Sequence, residues 1–228
     1  MTLRSRFFAM TYDRQMTKVE QAGLGAYREG LLADAAGKVL EIGAGTGSNL
    51  RFYGPAVASL TLTEPEIPML RRLQRKAGEQ APAATVLRAP AEDLPFEDDC
   101  FDVAVSTLVL CGVDDQPRAL RELRRVLRPG GQLLFIEHVR STDPELARFQ
   151  DRMNGINRFV VGCDCNRPTL DSLQEAGFTI AQVEHTTLPK APKFARPAIV
   201  GSATAPASVP SRDAQLATGE TGRNPHLP

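Results

Sequence analysis

The segment Val39-Leu40-Glu41-Ile42-Gly43-Ala44-Gly45-Thr46-Gly47 constrains this chain more than any other. An apolar run that ends in glycines at alternate positions reads as a buried strand entering a sharp turn. Without a Cβ such a turn bends tightly, and its backbone N–H groups approach a ligand closely. Gly43, Ala44, Gly45 and Gly47 are therefore the first candidate binding positions. Gly47 is followed by Ser48-Asn49 with no lysine, which excludes a triphosphate-binding P-loop. The dinucleotide fingerprint G-x-G-x-x-G asks for glycine or a near substitute at position 48, where Ser48 stands, and so disfavours an NAD-dependent oxidoreductase.

The spacing is instead acidic-x-G-x-G-x-G, with Glu41 at the end of the first strand. A carboxylate beside the turn repels a diphosphate and suits a cation. S-adenosylmethionine carries an ammonium and a sulfonium and no pyrophosphate, so the acidic residue selects it over a dinucleotide. Glu64 closes the second apolar run, with Pro65 beside it, about 20 residues past the first glycine, where a carboxylate accepts hydrogen bonds from the hydroxyls of an adenosine ribose.

Short β-like runs at residues 38–42, 59–63, 85–88, 101–106, 132–137, 179–184 and 198–201 alternate with helical patterns at 67–77 and 117–127. The second helical pattern places Leu120, Leu123 and Leu127 on one face and Arg121, Arg124, Arg125 and Arg128 on what reads as the solvated side. Pro129-Gly130-Gly131 stops it and feeds the next strand. This is the βαβ rhythm of a doubly wound α/β sheet. Residues 1–35 read as an N-terminal helical cap or lid, 36–203 as the folded α/β domain, and 204–228 as a tail too poor in large apolar side chains to order itself.

Lys plus Arg and Asp plus Glu both total 27, so no global field gathers nucleic acid or an anionic membrane, and a small-molecule acceptor is expected. The chain contains no apolar run of about 18 residues and no signal-peptide pattern, which points to a cytoplasmic protein without a transmembrane segment, as a monomer or homodimer. Four cysteines without even spacing predict no disulfide. Cys163-x-Cys165 lacks the second pair of a structural zinc site, so no metal is expected; Cys111 and Cys163 read as core packing.

Four elements in order, Leu40 to Gly47, Ala91-Glu92-Asp93-Leu94-Pro95-Phe96, Phe101-Asp102-Val103-Ala104 and Leu127-Arg128-Pro129-Gly130-Gly131, resemble the class I methyltransferase group typified by the ubiquinone and menaquinone C-methyltransferases. The resemblance implies a Rossmann-like seven-stranded sheet whose last strand runs antiparallel. It implies that the backbone around Ala91 and Glu92 reads the adenine of S-adenosylmethionine, and that Thr107 and Leu108 border the methyl-donor site. Tyr12, in Thr11-Tyr12-Asp13-Arg14, matches an aromatic-acidic element that lies over the donor in this group, where its ring faces the sulfonium. Pro90 stands where the group usually has an acidic residue, which shifts adenine recognition onto the Ala91 amide and Glu92.

Ser106 to Cys111, Phe135-Ile136-Glu137-His138-Val139, Gly162-Cys163 and residues 185–201 are similar to the membrane-anchored thiol methyltransferases of the methyltransferase-like group. By implication the acceptor is a small aliphatic or exogenous thiol, the product beside the methylated thiol being S-adenosylhomocysteine. Two departures accompany the likeness: no hydrophobic anchor precedes the domain, and Asp164 to Pro168 matches loosely. Methyl transfer needs donor and nucleophile aligned with water excluded. A thiol, with a reference pKa of about 8.5, needs no dedicated base, whereas oxygen or carbon acceptors do. His138, at the carboxyl end of the fifth strand, is the candidate base if one is used. Asp164 and Arg167 read as solvated loop charges. O-, N- or C-methylation, and a non-catalytic nucleoside-binding module, are the other readings these residues allow.

Overall fold

In the computed structural model, which describes residues 17–207, seven strands form one sheet in the order β3-β2-β1-β4-β5-β7-β6. They are β1 (Gly37–Ile42), β2 (Val57–Thr63), β3 (Thr85–Leu87), β4 (Phe101–Thr107), β5 (Leu127–His138), β6 (Thr179–Thr187) and β7 (Pro197–Thr204). The first five run parallel, and β7 is antiparallel to both β5 and β6. This is the Rossmann-like arrangement with an antiparallel last strand. Tyr12 and most of the tail lie outside the described residues, as does the start of the helical segment expected over residues 1–35.

The period of two along each strand deals side chains to two cores. Leu40, Ile42, Ala104, Leu133 and Phe135 face α3 (Gln116–Val126) and α5 (Thr169–Glu175), whose Leu120, Leu123 and Leu173 fill that layer. Val39, Leu60, Leu62, Val103, Val105 and Leu134 face the other way, onto Leu73 and Ala77 of α2 (Ile67–Gln80) and Leu32 of α1 (Gly25–Leu32). Glu41, two residues after Val39, points with it to the α1 and α2 side, and Glu137, two after Phe135, points with it towards the α3 side.

Local chemistry sets the helix ends. Asp115 caps α3 by accepting the Arg118 N–H at 2.9 Å, and Asp143 caps α4 (Pro144–Val161) through the Glu145 N–H at 2.8 Å. Gly162 ends α4 in the left-handed conformation. The segment Glu20–Leu24, kinked at Gly23 (φ +142°), leads into α1 and lays the buried Leu24 against Ile136 and Ala198, over the ends of β5 and β7. Among the described residues no helix is long and apolar enough to cross a membrane. The sheet winds outward in opposite directions from β1 and β4, so the loops after these two strands diverge. That switch point is where an open α/β sheet offers its ligand crevice.

Gly201 sits where β7 threads between its neighbours: a Cβ there would lie 2.2 Å from Gln182 O and 3.0 Å from Phe135 Cζ. Gly201→Ala is expected to cost roughly 1–3 kcal/mol by overpacking, read as a lowered urea midpoint at unchanged slope. A midpoint equal to the parent's would show that β6 yields freely there.

Candidate active site

The loop that leaves β1 takes three left-handed turns in five residues, with φ of +54° at Gly43, +60° at Gly45 and +82° at Gly47. Gly43 is demanded twice over, by its φ and by Val109, whose methyls would stand 2.7 Å from a Cβ. Gly45 is different: a Cβ on it would find only Gly43 O, at 4.0 Å. Its bare face is open space at the switch point, a cradle that a ligand can enter. Glu64, at the end of β2, accepts the Gly45 N–H at 2.9 Å through one oxygen and the Glu66 N–H at 2.8 Å through the other. Ala44 N–H reaches Thr63 O at 2.8 Å. The glycine loop and the Glu64-Pro65 corner therefore form one rigid unit. Burial raises the Glu64 carboxyl above its ordinary range, and the two N–H donors pull it back only in part.

Behind the loop lies a buried polar network that the sequence did not reveal. Glu41 accepts from Asn49 Nδ2 at 2.9 Å and from the Tyr53 hydroxyl at 2.7 Å. Arg28 of α1, itself only 3% exposed, donates to Asn49 Oδ1 at 2.8 Å and to Thr107 Oγ1 at 2.7 Å, and Asn49 Nδ2 also reaches Thr107 at 3.0 Å. A partly buried ion pair joins Arg28 to Glu20 Oε1 at 2.9 Å, while Glu20 Oε2 is the one buried side-chain oxygen or nitrogen among the described residues with no hydrogen-bond partner. The end of β1, the end of β4 and α1 are thus tied together through two oxygens of Glu41 and one arginine. Burial drives the Glu41 carboxyl up to about 7 despite its Tyr53 and Asn49 donors and the nearby Arg28 charge.

Glu137 organises the other wall of the crevice. Its fully buried carboxylate accepts from Ser106 Oγ at 2.6 Å and from the N–H groups of Val109 (3.1 Å), Leu110 (3.0 Å) and Cys111 (3.1 Å). This cradle fixes the turn after β4. Leu108, at its start, is held at φ +61° with its N–H on Ile136 O at 2.7 Å. A bulky side chain in that region is strained and persists only where the surroundings impose it. Thr107 ends β4 with its hydroxyl engaged by Arg28 and Asn49, and Leu108 follows it. The buried Ala91 lies in the loop after β3, where the carboxylate of Glu92 turns to the Asp114 N–H at 2.8 Å and the Asp115 N–H at 3.3 Å.

His138 follows Glu137, and its Nδ1 faces two thiols, Cys111 Sγ at 3.6 Å and Cys163 Sγ at 3.3 Å. Burial alone would lower its pKa, but Cys111 and Glu137 outweigh that and leave it raised. The Cys111 thiol is pushed well up, first by Cys163 and then by burial.

Two sequence expectations need correction. Asp164 and Arg167 are not solvated: each side chain is 13% exposed, and Arg167 donates to Asp164 Oδ2 at 2.6 Å, Leu110 O at 2.9 Å and Val113 O at 2.6 Å. Nor is the run of arginines, of which Arg128 falls in β5 and the rest on α3, uniformly a solvated face. Arg125 binds Glu122, Asp98 and the carbonyls of Leu94 and Phe96, pinning the Ala91 to Phe96 loop, and Arg128 pairs with Asp102. Charges spaced along a helix signal exposure only when no loop folds back over them.

Residues 40–135 match the family described as "Methyltransferase domain". The chain is similar to human thiol S-methyltransferase TMT1A, with 32% identity over 203 residues that cover 86% of this chain and 82% of that protein. It is also similar to human thiol S-methyltransferase TMT1B, 36% identical over 69% of this chain and 67% of that protein. A solved S-adenosylmethionine-dependent methyltransferase from Thermotoga maritima superposes with a TM-score of 0.66 at 24% identity, covering 88% of this chain and 97% of the other, which bears on the fold alone.

The raised Glu41 carboxyl predicts a pH dependence. Between its ordinary value of 4.5 and about 7 the folded chain holds a proton that the unfolded chain releases, so this stabilising contribution is complete below pH 4.5 and lost as pH rises through 7. Glu41→Gln, which keeps the shape and stays neutral, should match the parent near pH 5 and exceed it by about 2–3 kcal/mol at pH 8, measured by urea unfolding of the ligand-free protein. A difference that does not change with pH would contradict the assignment.

Proposed function

Because this chain belongs to the class I S-adenosylmethionine-dependent methyltransferases, we propose that it transfers the methyl group to the sulfur of a small, hydrophobic thiol. The observation that carries the choice of acceptor is the state of the ionisable groups around the crevice. Glu41, Glu64 and Glu137 each spend both oxygens on donors of the protein, Glu92 spends one on the Asp114 and Asp115 N–H groups, and His138 turns Nδ1 to a cysteine pair. Among the described residues the buried carboxylates of the crevice are thus already engaged, which suits a nucleophile that ionises by itself near neutrality, as a thiol does and an alcohol or carbon acid does not. Similarity to the human thiol S-methyltransferases across most of this chain supports the same reading.

The bare face of Gly45, the paired oxygens of Glu64 and the leftover Glu20 oxygen fit a cationic nucleoside donor. In this reading the backbone of Gly43, Ala44, Gly45 and Gly47 takes the amino-acid end, with the Glu41 charge behind it. Glu64 and Pro65 take the ribose, and the Ala91 amide with Glu92 takes the adenine. Tyr12 belongs to the same proposal, as the ring over the sulfonium. Bound there, the donor supplies an electrophilic methyl on sulfur for in-line displacement. The protein's share is to hold the two reactants in line at the strained Leu108 corner and keep water away from them. His138 retains a second ring nitrogen, Nε2, for proton removal from a non-thiol acceptor.

Incubating the full chain with S-adenosylmethionine and a panel of alkyl thiols, phenols, quinols and amines tests the acceptor. Thioether formation with one equivalent of S-adenosylhomocysteine is expected, with a rate that rises towards the thiol pKa. Methylation confined to oxygen, nitrogen or carbon overturns the thiol reading. Tight donor binding with no product from any acceptor assigns the chain to the non-catalytic nucleoside-binding alternative.

A further inference from the structure

Three soft donor atoms converge beside the crevice from three separate elements. Cys111 comes from the turn after β4, His138 is the last residue of β5, and Cys163 follows the glycine that ends α4. Cys111 Sγ lies 3.6 Å and Cys163 Sγ 3.3 Å from His138 Nδ1, and all three atoms lie within 4.8 Å of one another. A tetrahedral zinc ion, with bonds of about 2.3 Å to sulfur and about 2.0–2.1 Å to nitrogen, sets its sulfur and nitrogen ligands about 3.6 Å apart and two sulfurs about 3.8 Å apart. The two observed sulfur-to-nitrogen distances, 3.6 and 3.3 Å, lie close to the first of these, and the sulfur pair falls within the same 4.8 Å.

Hydrogen bonding alone does not account for the arrangement. A neutral imidazole nitrogen has either one lone pair or one hydrogen, so Nδ1 pairs well with only one of the two thiols that face it, and the other is left to the weak hydrogen bond between the two sulfurs. A cation among the three satisfies all of them at once. The ligands are also held in advance, as binding without reordering requires. Glu137 accepts the Cys111 N–H at 3.1 Å, and the Cys111 carbonyl accepts the Asp164 N–H at 2.8 Å. Asn157 Nδ2 donates to the Cys163 carbonyl at 2.6 Å, and Arg167 braces the turn through Leu110 O and Val113 O.

We propose that Cys111, His138 and Cys163 bind a soft divalent metal ion, zinc by preference, with the fourth tetrahedral position left to an external ligand. Thiolate and imidazole ligands select zinc over the hard cations, and two thiolates balance its charge. Binding breaks the two S–H bonds, releases both protons to solvent and forms two Zn–S bonds without any change of oxidation state. The inference is independent of the acceptor proposed above, since it concerns what the protein holds and not what it methylates.

The test is metal content and spectroscopy on the full chain, purified under reducing conditions, exposed to zinc and freed of loose metal by gel filtration. About one zinc ion per chain is expected by elemental analysis. Replacement with cobalt should give the intense visible bands of a tetrahedral ion and a thiolate-to-cobalt charge-transfer band in the near ultraviolet. Cys111→Ser, Cys163→Ser and His138→Asn should each lose most of the metal, while Cys100→Ser, at a cysteine outside the cluster, keeps it. Should the three variants fail to fold, the cobalt spectrum of the parent decides alone. Only trace zinc in the reduced parent, a cobalt spectrum without thiolate charge transfer, or full zinc retention in folded Cys111→Ser and Cys163→Ser would overturn the proposal.

Discussion

One carboxylate, that of Glu64, grips the N–H of Gly45 with one oxygen and that of Glu66 with the other, and the geometry of the crevice follows from it. The glycine loop has no side chains with which to hold itself. Its left-handed turns would be free to wander without a clip to the neighbouring strand, and the Ala44 bond to Thr63 O supplies only a second point of attachment. Because β1 and β2 are adjacent and parallel, the residue ending β2 is placed beside the loop leaving β1.

The same device appears three times. Glu41, Glu64 and Glu137 stand at or near the carboxyl ends of β1, β2 and β5, all three buried, each with its oxygens spent on donors from the loops and side chains around them. Burying a carboxylate is unfavourable unless its oxygens find donors, and such donors bind more strongly than neutral pairs. The residual cost shows in Glu41 and Glu64, both raised by burial. The return is a crevice whose walls are rigid before anything binds. The Leu108 strain is affordable because the Glu137 cradle over-determines the turn after it.

How much of this was legible in the sequence varies with the range of the interaction. The glycine triplet, Glu41 and Glu64 announce themselves because strand alternation and the need for a missing Cβ are local properties, and the four ordered motifs carried the seven-stranded sheet with its antiparallel β7. Strand ends drifted: β7 continues to Thr204, and β5 begins at Leu127, directly from α3, with the Pro129-Gly130 stretch absorbed as an irregularity in its ladder with β4. Helix α4 was not anticipated, since exposed apolar residues such as Ile156 and Val160 blur its amphipathic period. Arg28, Asn49 and Tyr53 left no local signal at all, being joined to Glu41 only by the fold. The Cys111, His138 and Cys163 cluster was invisible for the same reason. Along the chain only Cys163 and Cys165 have metal-ligand spacing, while the three donors meet across it. An isolated glutamate in the apolar run Leu133 to His138 was the one available hint of the Glu137 cradle.

Glu64 clips the loop, and the proposal above also gives it the donor's ribose; calorimetric titration of S-adenosylhomocysteine into the parent and into Glu64→Ala tests both roles together. Loss of hydrogen bonds to a charged acceptor predicts affinity weakened at least about tenfold, with the fold intact by circular dichroism. Equal affinity in the two proteins would contradict it.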